Sequence, residues 1–185
     1  MNSLYSFIVK PYSERYNNTK EVDGKELVLN TSISSYKFIS KKAVVVSTPS
    51  AFDTDIKVGD TVYIHHNVFR RWYDQKGKER NSAKYFKENL YFCDVDQIYM
   101  YNNKPHLDYC FVKPIKEKSF LRTDNNKEHF GILKYSNNSL ERIGIKPGAL
   151  VIFTPNSEFE FIIEDELLYC MKSNDIAVTY GYEEN

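Results

Sequence analysis

The chain has 185 residues, with 25 basic and 25 acidic side chains and a formal net charge of zero, so no global charge draws it to nucleic acid or to an anionic membrane. No run of eighteen apolar residues and no basic-then-apolar opening is present, which gives the expectation of a protein that neither spans a membrane nor is secreted by that route and that works in a cytoplasm. The length allows one large domain or two small ones of about 90 residues each.

In chain order, the apolar residues fall in short runs rich in β-branched and aromatic side chains: "SFIVKP" from Ser6, "AVVVSTP" from Ala43, "DTVYIHH" from Asp60, "LYFCDVDQIYMY" from Leu90, "DYCFVKP" from Asp108, "ALVIFTP" from Ala149, "FEFIIEDELLYCM" from Phe159 and "DIAVTYGY" from Asp175. With 15 tyrosines and 12 phenylalanines, this predicts an all-β fold. "NNSLERIG" alone has helical character, with Asn138 or Ser139 as its cap and Gly144 as its stop. Cys93, Cys110 and Cys170 are far apart, form no Cys-x-x-Cys pair and read as reduced core thiols.

Charge is segregated locally. Residues 70–87 hold seven basic groups against two acids, and residues 155–185 hold eight acids against one lysine. Segregation of this kind suits a solvated hairpin and a solvated tail.

Three segments recur in the same order. "FIVKP" at residue 7 returns as "CFVKP" at 110, "IKVGDTVYIHHN" at 56 returns as "IKPGALVIFTPN" at 145, and "YFCDVDQI" at 91 returns as "YCMKSNDI" at 169. The offset is 103 from Lys10 to Lys113, 89 from Lys57 to Lys146 and 78 from Tyr91 to Tyr169. The first copy is therefore longer by 14 residues (103 − 89) before the Lys-x-Gly turn and by 11 (89 − 78) after it. In that turn glycine takes backbone angles other residues resist, and Val62 with Ile64, or Val151 with Phe153, are expected to enter the core. The first excess falls in "GKELVLNTSISSYKF", from Gly24, which holds an apolar triplet, Leu27-Val28-Leu29, in polar surroundings. The second falls in "FRRWYDQKGKERNSAKYFKEN", from Phe69.

"FIVKP", the polar loop with its triplet, "KKAVVVSTP", "DIKVGDTVYI" and "ENLYFCDVDQIYMY" together resemble the GroES-type co-chaperonins, and "IKPGALVIFTPN" with "EDELLYCMKSNDIAVTY" is similar to the same pattern. The resemblance implies two tandem GroES-like small β-barrels, 1–103 and 104–185. The first would have a long mobile loop at about 13–40 and an enlarged roof hairpin at about 65–88, and the second would lack the loop. It further implies that Leu27, Val28 and Leu29 dock, at the loop tip, into an apolar groove of a GroEL-type chaperonin ring in a nucleotide-dependent way. Trp72, Tyr73, Arg70 and Arg71 would face the folding chamber or a neighbouring subunit. The implied partners are the chaperonin, further copies of the chain in a ring homo-oligomer, and an unfolded client, as for co-chaperonins of viruses. Two departures stand out: Lys25 and Glu26 separate Gly24 from the triplet, and "KSFLRTDNNKEHFGILKY" in the second copy has no comparable triplet.

No catalytic residue, metal ligand set or cofactor motif is assigned. His65-His66 lacks further ligands at suitable spacing, no glycine-rich nucleotide loop or nucleophile elbow is present, and the nucleotide domain of medium-chain alcohol dehydrogenases is missing. The chain is thus expected not to be an enzyme. Beside the co-chaperonin reading stand a non-catalytic virion or assembly protein built on the same barrels, and a nucleic-acid binder using Arg70, Arg71, Trp72, Tyr73 and Lys76 as a stacking groove.

Overall fold

A computed structural model describes residues 3–16, 19–22, 25–28, 36–116 and 126–182. The fold is all-β, with antiparallel sheets, one short α-helix and three short 3-10 helices among the described residues. The chain divides into two compact units, Met1–Asn102 and Asn103–Asn185. No helix of the described residues is long and apolar enough to cross a membrane.

In unit 1 the main strands are β1 (Phe7–Pro11), β4 (Lys42–Ser47), β5 (Thr61–Ile64), β8 (Tyr85–Lys87), β9 (Leu90–Cys93) and β10 (Ile98–Tyr101), ordered β10-β5-β4-β1-β9-β8 in their sheet. Two hairpins stand apart from it: β2 (Thr19–Val22) with β3 (Lys25–Val28), and β6 (Arg71–Tyr73) with β7 (Glu79–Asn81). Unit 2 opens with the two-residue β11 (Lys104–Pro105). It continues through β12 (Tyr109–Lys116), β13 (Asn126–Tyr135), β14 (Ala149–Phe153), β15 (Phe159–Ile163), β16 (Glu166–Lys172) and β17 (Ile176–Tyr182), in the sheet order β15-β16-β12-β13-β14-β17. The two orders are the same once β1 is matched to β12.

The match extends to individual pairs. Val9 opposes Tyr91 in unit 1, and Val112 opposes Tyr169 in unit 2. Val9 opposes Val45 as Val112 opposes Leu133, with a register shift just before the valine in both copies. Ala43 opposes Val62 as Gly131 opposes Val151, and Ile98 opposes Ile64 as Ile176 opposes Phe153. The offset between copies is 103 on β1, 88 on β4, 89 on β5 and 78 on β9. Locating β4 and β13 refines the count: the first connection is 15 residues longer in unit 1 (103 − 88), and the next is one residue shorter.

The Lys-x-Gly turns are equivalent in detail. Asp60 N–H donates to Lys57 O at 3.1 Å and Ala149 N–H to Lys146 O at 3.2 Å, while Gly59 and Gly148 have φ of 93° and 94°. That is the left-handed third position of a type II turn, which favours glycine, and Pro147 occupies the second position as such turns prefer. Val62, Ile64, Val151 and Phe153 are all buried, as expected from the sequence. One position differs between the copies for a steric reason. A Cβ on Gly131 would lie 2.3 Å from Val112 Cγ1 and 2.7 Å from Lys113 O, so β13 carries glycine where β4 carries Ala43.

Each unit has its own apolar core. Val112, Leu133, Leu140, Val151, Phe153 and Met171 contribute to that of unit 2. The corresponding strands of unit 1 supply Phe7, Val9, Val45, Val62, Ile64 and Cys93, and the inserted connections add Tyr16, Ile39, Val68 and Phe69. The helix α1 (Asn138–Arg142) follows β13. Its cap is Asn137, whose side chain accepts a hydrogen bond from Leu140 N–H at 3.0 Å, one residue before the position expected. The three cysteines are buried and form no disulfide, and burial raises the thiol pKa of Cys93 and pushes that of Cys110 up to about 12, which makes these two poor nucleophiles at neutral pH.

Candidate functional site

The residues that distinguish unit 1 from unit 2 lie in its two insertions. The first leaves the sheet after Pro11 and is closed at its root by an isolated bridge between Tyr16 and Ile39, both buried, and by Ser40 N–H donating to Arg15 O at 3.1 Å. Of the loop expected at about 13–40, the outer part therefore begins beyond Tyr16. It contains the β2–β3 hairpin, in which Thr19 opposes Val28, Lys20 opposes Leu27, Glu21 opposes Glu26 and Val22 opposes Lys25. Asp23 and Gly24, between the two strands in sequence, lie outside the described residues.

The register bears on the triplet. Leu27 and Val28 belong to the returning strand β3, where they oppose Lys20 and Thr19; Leu29 lies outside the described residues.

The second insertion begins with a short 3-10 helix, His66–Val68, and continues into the β6–β7 hairpin. Asp74 shapes its turn: its carboxylate accepts from Lys76 N–H and Lys78 N–H, each at 2.9 Å, and pairs with Arg80 Nε at 2.9 Å. The backbone N–H of Lys78, helped by Arg80 and Lys76, holds that carboxyl below its ordinary range. Gly77, with φ of 71°, completes the turn. Arg71 pairs with Glu79 at 3.0 Å, and Trp72 Nε1 donates to Asn81 O at 3.1 Å.

Trp72 and Tyr73, both exposed, are consecutive on a strand and so stand on opposite faces of the hairpin. Trp72 opposes Arg80, and Tyr73 opposes Glu79. A single-faced groove of alternating bases and rings is thus not formed by these residues, and Arg71 and Arg80 are each matched by a carboxylate. Arg70 and Lys76 remain exposed.

Two residues that the sequence did not single out hold the insertions together. Arg15 Nε donates to Phe69 O at 2.5 Å, Nη1 to Asn81 Oδ1 at 2.6 Å and Nη2 to Arg70 O at 3.1 Å. Its guanidinium lies 5.0 Å from the Tyr91 ring centroid and 6.0 Å from that of Tyr16. Tyr16 Oη accepts from Arg71 N–H at 2.6 Å, and the Arg71 guanidinium lies 4.5 Å from the Tyr16 ring centroid. The sequence signal is faint, because "SERY" reads as a solvated turn.

His65 and His66 stack with ring centroids 4.3 Å apart, and His65 Nδ1 accepts from Asn67 N–H at 3.0 Å. Among the described residues no group of three or more His, Cys, Asp or Glu is placed to hold a metal ion. Burial, then His65, Lys41 and Arg70, lower the His66 pKa to about 4. Because that value lies below the ordinary 6.5, the unfolded chain takes up the proton first as pH falls. The contribution of His66 to stability is therefore complete above pH 6.5 and declines as pH drops to about 4. Allowing for solvent screening at this half-buried ring, the loss should be about 1–2 kcal/mol, read as a lower urea midpoint at pH 4.5 than at pH 7 that is reduced in His66→Asn.

No protein-family model matches the chain, and no curated protein matches it.

Proposed function

We propose that this protein is a co-chaperonin built from two GroES-like small barrels, which caps a GroEL-type chaperonin ring through Leu27, Val28 and Leu29 and assists the folding of a client. The observation that carries the reading is the asymmetry of the repeat. The same strand order and register occur twice, yet the connection between the first two main strands is 15 residues longer in unit 1 (103 − 88) and contains a hairpin that carries the apolar residues Leu27 and Val28. An apolar segment in a connection that is so much longer than its sister's fits a docking element better than a core strand. Burying three aliphatic side chains in a partner's groove returns about 1.5–3 kcal/mol each before ordering costs. Several copies in a ring add avidity without new contacts.

The test is gel filtration with a GroEL-type ring, with and without ATP or ADP, comparing the protein with the triple variant Leu27→Ser, Val28→Ser, Leu29→Ser. Nucleotide-dependent co-elution that disappears in the variant is expected. Assembly of the chain into large particles with no chaperonin present, and no co-elution, would transfer the reading to a virion or assembly protein. That second reading has one feature in its favour: β15, at the edge of the unit 2 sheet, exposes Phe159 and Ile162. The nucleic-acid reading is weakened by the opposed faces of Trp72 and Tyr73 and by the paired Arg71 and Arg80.

A further inference from the structure

The two insertions of unit 1 share one anchor, whose hydrogen bonds join residues 54 to 66 apart in the chain. Arg15 and Tyr16 lie four and three residues before the start of β2. Between them they hold both ends of the β6–β7 excursion: Phe69, Arg70 and Arg71 where it leaves, and Asn81 where it returns. Asn81 joins the chain of contacts at two points, since its side chain accepts from Arg15 and its carbonyl accepts from Trp72 Nε1.

We infer that Arg15 and Tyr16 make the two hairpins one coupled device, in which a change in the β2–β3 hairpin is transmitted to the β6–β7 hairpin and to Trp72. The physical basis is rigidity at the junction. A guanidinium is a planar fork, and three of its donors are fixed here by acceptors on both sides of the second excursion, with an aromatic ring beneath. Displacing Arg15 leaves the carbonyls of Phe69 and Arg70 without that donor, and rotating Tyr16 takes the acceptor from Arg71 N–H. A partner that pulls or reorients the first hairpin at its root therefore moves both ends of the second. In a capping protein this would let occupancy of the docking element reset the surface that carries Trp72, but the coupling itself rests on contacts within unit 1 and requires no particular partner.

Trp72 is the sole tryptophan, so the test is intrinsic. Val22→Pro removes the N–H that Val22 contributes to its hydrogen-bonded pair with Lys25 and opens the β2–β3 pairing without touching residues 27–29, and hydrogen exchange over 19–28 verifies the opening. In the otherwise unaltered protein it is expected to raise acrylamide quenching of Trp72, and amide exchange over 71–81, by at least about twofold. In Tyr16→Phe or Arg15→Gln backgrounds, each checked for a cooperative melt and for unit 2 exchange like that of the parent, Val22→Pro is expected to add less than half of that change. Tyr16→Phe keeps the ring and serves if Arg15→Gln does not fold. An opened β2–β3 hairpin that leaves residues 71–81 and Trp72 unaffected, or effects that add independently across the two backgrounds, would overturn the inference. No chaperonin enters the experiment, so its failure is separable from failure of the docking reading.

Discussion

Phe69→Ala should destabilise unit 1 by about 3–5 kcal/mol, the usual consequence of removing a fully buried aromatic ring. Phe69 has no exposed surface and meets Tyr91 edge to face, with ring centroids 4.9 Å apart. The ring comes from the second insertion and joins the core formed by β1, β4, β5 and β9. Its loss therefore removes both transfer energy and the partner of Tyr91. Because a small unit has a net stability of about 5–15 kcal/mol, this is a large share of the whole. Hydrogen exchange resolved along the chain provides the measurement: protection should fall over β1, β4, β5 and β9 and persist over β12 to β17, which belong to the other core. Phe69→Leu, which preserves most of the volume, should cost less than half as much.

Asn137→Ala should cost unit 2 about 2–4 kcal/mol. This buried side chain performs three tasks: Oδ1 accepts from Leu140 N–H at 3.0 Å, while Nδ2 donates to Tyr109 O at 2.8 Å and to Ser173 Oγ at 2.6 Å. It thus caps α1 and joins that helix to the start of β12 and to the turn after β16. The cap contributes about 1 kcal/mol, and depriving the Tyr109 carbonyl of its donor costs about 1–3 more. Asn137→Asp separates the contributions, since a carboxylate keeps the acceptor for Leu140 N–H and loses both donors. Urea denaturation should rank the native protein first, and both variants clearly below it.

Much of the strand arrangement was legible because the core strands are short runs of β-branched and aromatic residues and each copy repeats the same glycine turn with apolar alternation after it. Val62, Ile64, Val151 and Phe153 were named from that alternation and are buried. The helix was visible too, but its cap fell among three competent neighbours, Asn137, Asn138 and Ser139, and only the hydrogen bond to Leu140 decides between them. The β2–β3 hairpin was harder. Its strands are rich in Lys and Glu, with Glu21 directly opposite Glu26, and nothing in such a pattern resembles a half-buried strand. Asp23-Gly24 was the available signal. The opposed faces of Trp72 and Tyr73 would have followed from reading "RWY" as a strand. Arg15 and Tyr16 had no such route, because their partners are more than fifty residues away and three of them are backbone groups.

The shared anchor also constrains descent. If the two copies arose by duplication of a single unit, neither insertion is easily gained or lost alone. Removing the β6–β7 excursion would deprive the Arg15 guanidinium of its acceptors at positions 69, 70 and 81, and removing the root of the first would leave Arg71 N–H without Tyr16. Relatives of this chain should therefore carry both excursions in a given unit or neither, and an Arg-Tyr pair after the first strand should accompany a long connection between the third and fourth strands of the repeat.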